Sequence, residues 1–488
     1  MTPSNPGPAA PPGRVPPVLS RRDLLRRAGV ATAGTLAGGV AINAAAPLLF
    51  PESREVDPNR SYWARALPPV NQPLERSIDA DVAIIGGGFT GLSAAYHLGQ
   101  LAPGRRVVLL EARGCGNGAS GRNGAMLLTS TADRWLTPSD APDIDRRITA
   151  MTVENIGAIR DLSSQFGLDV ELETRGAVQV LNTPAEVQQA RGSVARLKDS
   201  GIAAEFWDAD RVREGLGTGA YPGALFDAAS GQVHPGKLVA LFKMAAMSVG
   251  VDIYENTRVT SVDEGRVHAV TTAAGQRVRA PLLVLATNAY SSQLGYLRSA
   301  YVPILAYVGI TPPLDAGLVA DLGWQSRAPF NDSRTDVYYL GLGRDNRVRI
   351  GGGPAGYGYR FNNGVPPPQV PAAIAGALHA ALAQIFPALA NVPLETCWSG
   401  AVDCSLNFSP ALGRMGRHGN IYYAIGYSGH GVNLASTFGR IIADLIAGHG
   451  ERWRWLPCLN QRLPYIPNEP LRWLGVRAYR AAIGVLEP

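Results

Sequence analysis

Short unbroken apolar runs and stretches with helical spacing alternate along most of this 488-residue chain. The run at 81–85 carries apolar residues at every position after Asp81, the pattern of a short strand covered on both faces. Phe89–Leu101 follows with the spacing of a helix, and Val107–Leu110 is a second unbroken run that stops at Glu111. Farther along, 144–166, 184–200, 235–250, 372–386 and 432–447 read as helices. Strands are expected at 176–181, at 252–262, as a pair within 276–285, and at Ile421–Ile425. The segments 301–311 and 338–351 alternate or are rich in aromatics, which fits an antiparallel sheet. Proline density makes 366–371 a loop.

The link between the first two strands carries the first chemistry. Gly86, Gly88 and Gly91 form a G-x-G-x-x-G turn between strand and helix. The glycines serve a tight turn, a close backbone approach to a pyrophosphate, and close helix–strand packing. The helix N-terminus then offers free N–H groups and a positive dipole end to phosphate. Glu111 ends the second strand, where a carboxylate accepts ribose hydroxyls and repels a 2′-phosphate. The expected fold class is α/β, a Rossmann-like dinucleotide-binding domain interleaved with an α+β substrate domain built on an antiparallel sheet. The first domain is read at 78–130, 225–300 and 395–455, and the second at 131–224 and 301–394. A tail at 456–488 carries an amphipathic, basic and aromatic helix near 471–480.

Charge narrows the partners. The net charge is +6, of which the first fifty residues hold +4, so the rest offers no basis for nucleic-acid binding. Those fifty residues read as a targeting segment. Ser20-Arg21-Arg22-Asp23-Leu24-Leu25 is a twin-arginine motif ahead of an uncharged Ala/Gly-rich stretch. Export to the periplasm or cell envelope is expected, with an uncleaved membrane anchor as the alternative. Residues 51–77 form a proline-containing linker. Cys115, Cys397, Cys404 and Cys458 include no C-x-x-C pair, and no metal site is expected. An exported chain could form one disulfide from them, with no pair preferred.

Four ordered motifs now bear on identity: IIGGGFTGLSAA at 84–95, GASGRNGA at 118–125, VLATNAY at 284–290 and GYSGHGVNLAS at 426–436. With them the chain resembles the D-amino-acid-oxidase superfamily of FAD-dependent amine oxidoreductases. It is most similar to the γ-glutamylputrescine oxidoreductase branch, and more distantly to glycine and sarcosine oxidases. The resemblance spans nearly everything after residue 78 and implies FAD as cofactor. It implies contacts from Gly86, Gly88, Phe89, Thr90 and Gly91, and from Glu111, Ala112 and Arg113. It adds Ala119, Ser120, Arg122, Asn123 and Gly124 in a second small-residue loop. There Arg122 either neutralises phosphate or sits over the isoalloxazine. The backbone of Val259 would meet adenine, and Ala286, Thr287 and Asn288 end a buried strand where such sheets bind ligands. Gly426, Ser428, Gly429, His430, Gly431 and Val432 bring a helix N-terminus to the flavin.

The resemblance also implies amine chemistry. Hydride would pass from the α-carbon of a neutral amine to flavin N5, and the imine would hydrolyse. His430 is a candidate proton carrier or a loop-holding residue. Arg349 falls where sarcosine oxidases place an oxygen-activating lysine. Cys404 stands six residues before Pro410, as in the covalent-flavin cysteine of sarcosine oxidases, but the intervening Tyr-Thr pair is missing. It is either a flavin attachment point or a free thiol. Tyr307, Tyr339, Tyr359 and Trp398 are candidate substrate walls or plain sheet packing. The acceptor is oxygen, or a quinone or carrier at a membrane that the tail helix would touch. A flavin-bound chain without turnover is the third reading.

Overall fold

The computed structural model describes residues 61–137, 139–357 and 370–486. The twin-arginine segment, the start of the linker, Tyr359 and most of the proline-dense run lie outside these residues.

The four-residue apolar runs become the centre of a six-stranded sheet. Its order is Ala411–Met415, Ile421–Ile425, Leu282–Leu285, Val82–Ile85, Val107–Leu110, Asp252–Tyr254, parallel except for the first, edge strand. All four residues of Val82–Ile85 and of Val107–Leu110 are buried, as expected of strands with both faces covered. One face packs on helices Phe89–Leu101, Pro235–Ser248 and Gly431–Ala447. The first and last cross very closely: a Cβ on Gly439 would sit 2.5 Å from the Thr90 carbonyl oxygen. Ser93 Oγ donates across this crossing to Ser436 O at 2.6 Å. The other face packs on a four-stranded sheet of Ile78–Asp79, Arg277–Ala280, His268–Thr272 and Val259–Asp263.

A second core lies under an eight-stranded sheet. Its order is Thr396–Cys404, Val302–Ile310, Val348–Gly352, Tyr338–Leu342, Phe330–Asp332, Ala177–Leu181, Gly223–Asp227, Ala204–Asp208. Only the Phe330–Asp332 pairing with Ala177–Leu181 is parallel. Helix Ala372–Ile385 contributes Leu378, Leu382 and Ile385 to that core.

Two expectations need correction. The single strand at 252–262 is two strands in two sheets, because the chain turns at Glu255–Thr257, where Asn256 takes φ 50°. Buried Glu255 accepts there from Asn71 N, Cys115 N and Lys243 Nζ, so the turn is anchored and not extended. The pair expected within 276–285 is present as two strands, Arg277–Ala280 in the four-stranded sheet and Leu282–Leu285 in the six-stranded one. Thr396–Cys404, read within a dinucleotide-binding segment, pairs along its whole length with Val302–Ile310 in the antiparallel sheet. Strand Ala204–Asp208 and helix Ala209–Leu216, capped by the Asp208 side chain, were not anticipated from the pattern.

The tail forms helix Leu471–Leu486 and docks on the protein itself. Buried Arg472 donates to Pro467 O and Arg298 O, buried Glu469 accepts from Trp473 N and Tyr357 OH, and Arg480 donates to Ala355 O. Leu474 remains exposed. No described helix is long and apolar enough to cross a membrane.

Candidate functional site

The two sheets meet around a cavity of about 380 Å³, and the first glycine turn forms one end of it. Gly86 takes φ +111°, and a Cβ there would sit 2.5 Å from the Ala286 carbonyl oxygen. A Cβ on Gly91 would overlap the Gly86 carbonyl oxygen, so Gly91 serves packing and does not line the cavity. Phe89 N, in the first turn of its helix, donates to Ser120 Oγ at 2.9 Å, which joins the two glycine loops. Glu111 Oε2 accepts from Gly87 N at 2.7 Å and Oε1 from Arg113 N at 3.0 Å. Burial raises its pKa, and the two backbone donors partly offset that. Glu111, Ala112, Arg113 and Val259 line this same end, where the resemblance places the adenosine part of a dinucleotide.

The second loop, 118–124, lies along the cavity wall. Arg122 lines it too, but its guanidinium is turned to backbone: Nε donates to Asn117 O at 2.7 Å and Nη1 to Ser399 O at 3.1 Å. Asn123 staples the loop, donating to Ala119 O and Ser120 O and accepting from Ala125 N.

Opposite stand Ala286, Thr287 and Asn288, with Thr287 Oγ1 bonded to Ser291 Oγ at 2.8 Å. Beyond them the N-terminus of helix Gly431–Ala447 reaches the cavity through Gly429, His430, Gly431 and Val432. His430 is the residue preceding this helix, with its ring 6.0 Å from Trp135. Gly426 and Ser428 do not line the cavity. Gly426 takes φ +78° and donates its N–H to Asp403, while Ser428 Oγ donates to Gly426 O and accepts from Ser405 N. They shape the turn that presents the others.

Asp403 was missed by sequence reasoning. It lines the cavity, is fully buried, and accepts through Oδ2 from Gly426 N and Tyr427 N. Its Oδ1 has no partner among the described residues. Burial pushes its pKa up to about 7, and the backbone donors hold it down only in part. No motif flags it; a lone acid in a strand of small residues was the one available signal.

On the antiparallel side the cavity is walled by Met126, Leu128, Ala306, Asn331, Val337 and Tyr339. Of the four candidate aromatic walls, Tyr339 lines it, while Tyr307 and Trp398 are buried elsewhere in the sheet. Arg349 stands behind Tyr339 and Gly124, outside the lining, donating Nε to Gly124 O at 2.8 Å and Nη2 to Gln232. Burial lowers its pKa to about 10, which leaves it charged at neutral pH. Cys404 also lies outside the lining, one residue past the run Gly400, Ala401, Val402 and Asp403 that borders the cavity. No disulfide joins any of the four cysteines among the described residues. No cluster of three His, Cys, Asp or Glu among the described residues is placed to hold a metal ion.

The cradle fits a flavin dinucleotide: a side-chain-free turn at a helix start, a carboxylate at the next strand end, and a second helix N-terminus at the far end. Comparisons with known proteins agree. Residues 81–445 match the FAD dependent oxidoreductase (DAO) family, and the chain belongs to that family. Gamma-glutamylputrescine oxidoreductase of Escherichia coli (strain K12) is 33% identical over 390 residues, covering 78% of this chain and 86% of that protein. A probable oxidoreductase OrdL of Haemophilus influenzae is 29% identical over 389 residues, with the same coverage. The crystal structure of glycine oxidase from Geobacillus kaustophilus superposes with TM-score 0.67 at 21% identity, over 79% of this chain and 99% of that one. The cofactor is FAD, and the chain is a flavin-dependent oxidoreductase with the fold expected from its pattern.

Proposed function

We propose that this enzyme oxidises an amine or amino-acid-like substrate at a CH–NH or CH–NH2 bond. The carrying observation is the cavity itself, which opens from the FAD cradle directly onto Asn331, Val337 and Tyr339 of the antiparallel sheet. The similarity to gamma-glutamylputrescine oxidoreductase supports an amine as donor. FAD, held by the Gly86–Gly88 turn, Glu111 and the 118–124 loop, would supply the two-electron acceptor for hydride from the substrate α-carbon. The chain supplies placement and field. The helix Gly431–Ala447 aims its positive end into the cavity, where it stabilises developing negative charge. Asp403 holds the turn that delivers this helix end, and the hydrogen bond between Thr90 Oγ1 and Tyr427 OH, at 2.7 Å, ties the turn to the first helix. Tyr339 and Met126 line the cavity and would shield the reacting bond from water. The imine leaves to hydrolyse to a carbonyl compound and an amine or ammonia. Incubation with polyamines, γ-glutamyl amines, N-methyl amino acids and D-amino acids, followed by carbonyl detection, tests this reading. Carbonyl product from one class supports it; none from any class sinks it.

A second reading of the acceptor, a quinone or carrier in place of oxygen, draws on the tail helix, which leaves Leu474 and Arg477 outward while docked. Substrate-dependent dye reduction without peroxide in air would favour it. Export by the twin-arginine route is part of the same proposal, resting on Arg21 and Arg22. A lysine pair at those positions should leave the enzyme in the cytoplasm, and unchanged export would refute the route.

A further inference from the structure

We infer that residues 61–67, which precede the family-matched region, form a strap that locks the second cofactor loop and sets how tightly FAD is held. The loop from 116 to 124 needs such a lock. Gly116, Gly118, Gly121 and Gly124 leave it many conformations to lose on binding.

Three successive carbonyls of this loop are taken from outside. Ser61 Oγ donates to Gly121 O, Trp398 Nε1 to Arg122 O at 2.9 Å, and Trp63 Nε1 to Asn123 O at 2.8 Å. Two of the three donors belong to the strap. Ser61 and Trp63 are both buried, and Trp63 meets Trp398 and His234 edge-on, with ring centroids 6.1 and 4.9 Å away. Leu67 completes the seal: a Cβ on Gly116 would sit 2.7 Å from its Cδ2, and one on Gly121 would sit 3.4 Å away. The strap's own backbone is seated against the start of helix Pro235–Ser248, where a Cβ on Gly236 would overlap the Trp63 carbonyl oxygen. With its carbonyls held outward, the loop presents Ala119, Ser120, Asn123 and Gly124 to the cavity in one arrangement. Arg65, by contrast, makes an exposed ion pair with Glu395 and lies over the Tyr62 ring, and bonds to none of these loop carbonyls.

The test is titration of apoprotein with FAD, together with hydrogen exchange of residues 118–124 in the holoprotein. Trp63→Phe keeps an aromatic ring, though a smaller one, and loses the donor; Ser61→Ala loses the other. The double variant should bind FAD roughly tenfold to thirtyfold more weakly and exchange faster across the loop, as expected for two lost hydrogen bonds. Trp63→Phe alone, the milder change, should weaken binding roughly fivefold and decides the matter if the double variant does not fold. Arg65→Ala should stay within about twofold of the wild type, because exposed pairs contribute little. Wild-type FAD affinity in Trp63→Phe, even with a lowered melting temperature, would overturn the proposal and leave the strap a packing element only.

Discussion

The parallel sheet meets the cavity with backbone, and the antiparallel sheet meets it with side chains. Gly86 and Gly88 follow one strand, and Ala286 follows another, so backbone without bulky side chains borders the cavity there. On the other side single side chains, Asn331, Tyr339 and Asp403, make the wall. The first side is built by what is left out, and the second by what is put in.

The same substitution on the two sides should therefore give unequal results. Gly91→Ala drives a methyl into the Gly86 carbonyl, between a strand end and a helix start that cannot separate. We expect loss of FAD binding and a stability cost at or above the upper end of the ~1–3 kcal/mol typical of overpacking. Gly400→Ala, on the antiparallel side, places its methyl 3.1 Å from Arg122 Cβ, a contact that a shift of a few tenths of an ångström relieves, against 1.9 Å to the Gly86 carbonyl oxygen for Gly91. Its cost should stay under about 1 kcal/mol, with FAD retained. Flavin content and urea unfolding check both; equal losses would erase the contrast.

Asp403 gives the next largest effect. Its folded pKa of about 7 lies above the ordinary 3.8, so the native state keeps a proton that the unfolded chain has lost between those values. Stability from this group is therefore greatest below pH 4 and falls as pH rises through 7, by at most roughly 4 kcal/mol. Asp403→Asn should flatten that slope when unfolding is measured at pH 5 and pH 8. An identical slope in variant and wild type would mean that the carboxylate ionises freely in the fold.

Smaller effects should divide by side. Tyr339→Ala should raise KM for the amine about tenfold or more by opening the wall, while FAD affinity stays unchanged. A change confined to FAD affinity would move Tyr339 to the cofactor side. Arg349→Lys loses one of two fixed bonds, to Gly124 O or Gln232 Oε1, and should lower stability by about 1 kcal/mol. A large fall in turnover at unchanged stability would instead make Arg349 part of the chemistry despite its place behind the wall.

The same contrast explains what was legible in the sequence. Val82–Ile85, Phe89–Leu101 and Val107–Leu110 are contiguous, so their runs, turn and terminal acid could be read together, and they folded as read. The antiparallel sheet joins strands far apart in the chain, such as Ala177–Leu181 with Phe330–Asp332, and nothing local specifies that pairing. Asp403 escaped notice for the same reason: its partners, Gly426 and Tyr427, come from the next motif along the chain. Arg349 and Cys404 were placed by position in a pattern. The cavity lining stops at Asp403, one residue before Cys404, and Tyr339 lines it where Arg349 does not. Arg122 could be assigned to the loop but not to its bonds, because Ser399, which it reaches, lies in a strand of the other sheet.

The central claim is that one cavity holds FAD and an oxidisable amine together. Anaerobic mixing of the purified holoprotein with the amine panel, followed in the flavin visible band, tests it most directly. The account predicts that at least one class of amine bleaches the band and that admitting an acceptor restores it. A band that dithionite bleaches but no amine in the panel changes would contradict it.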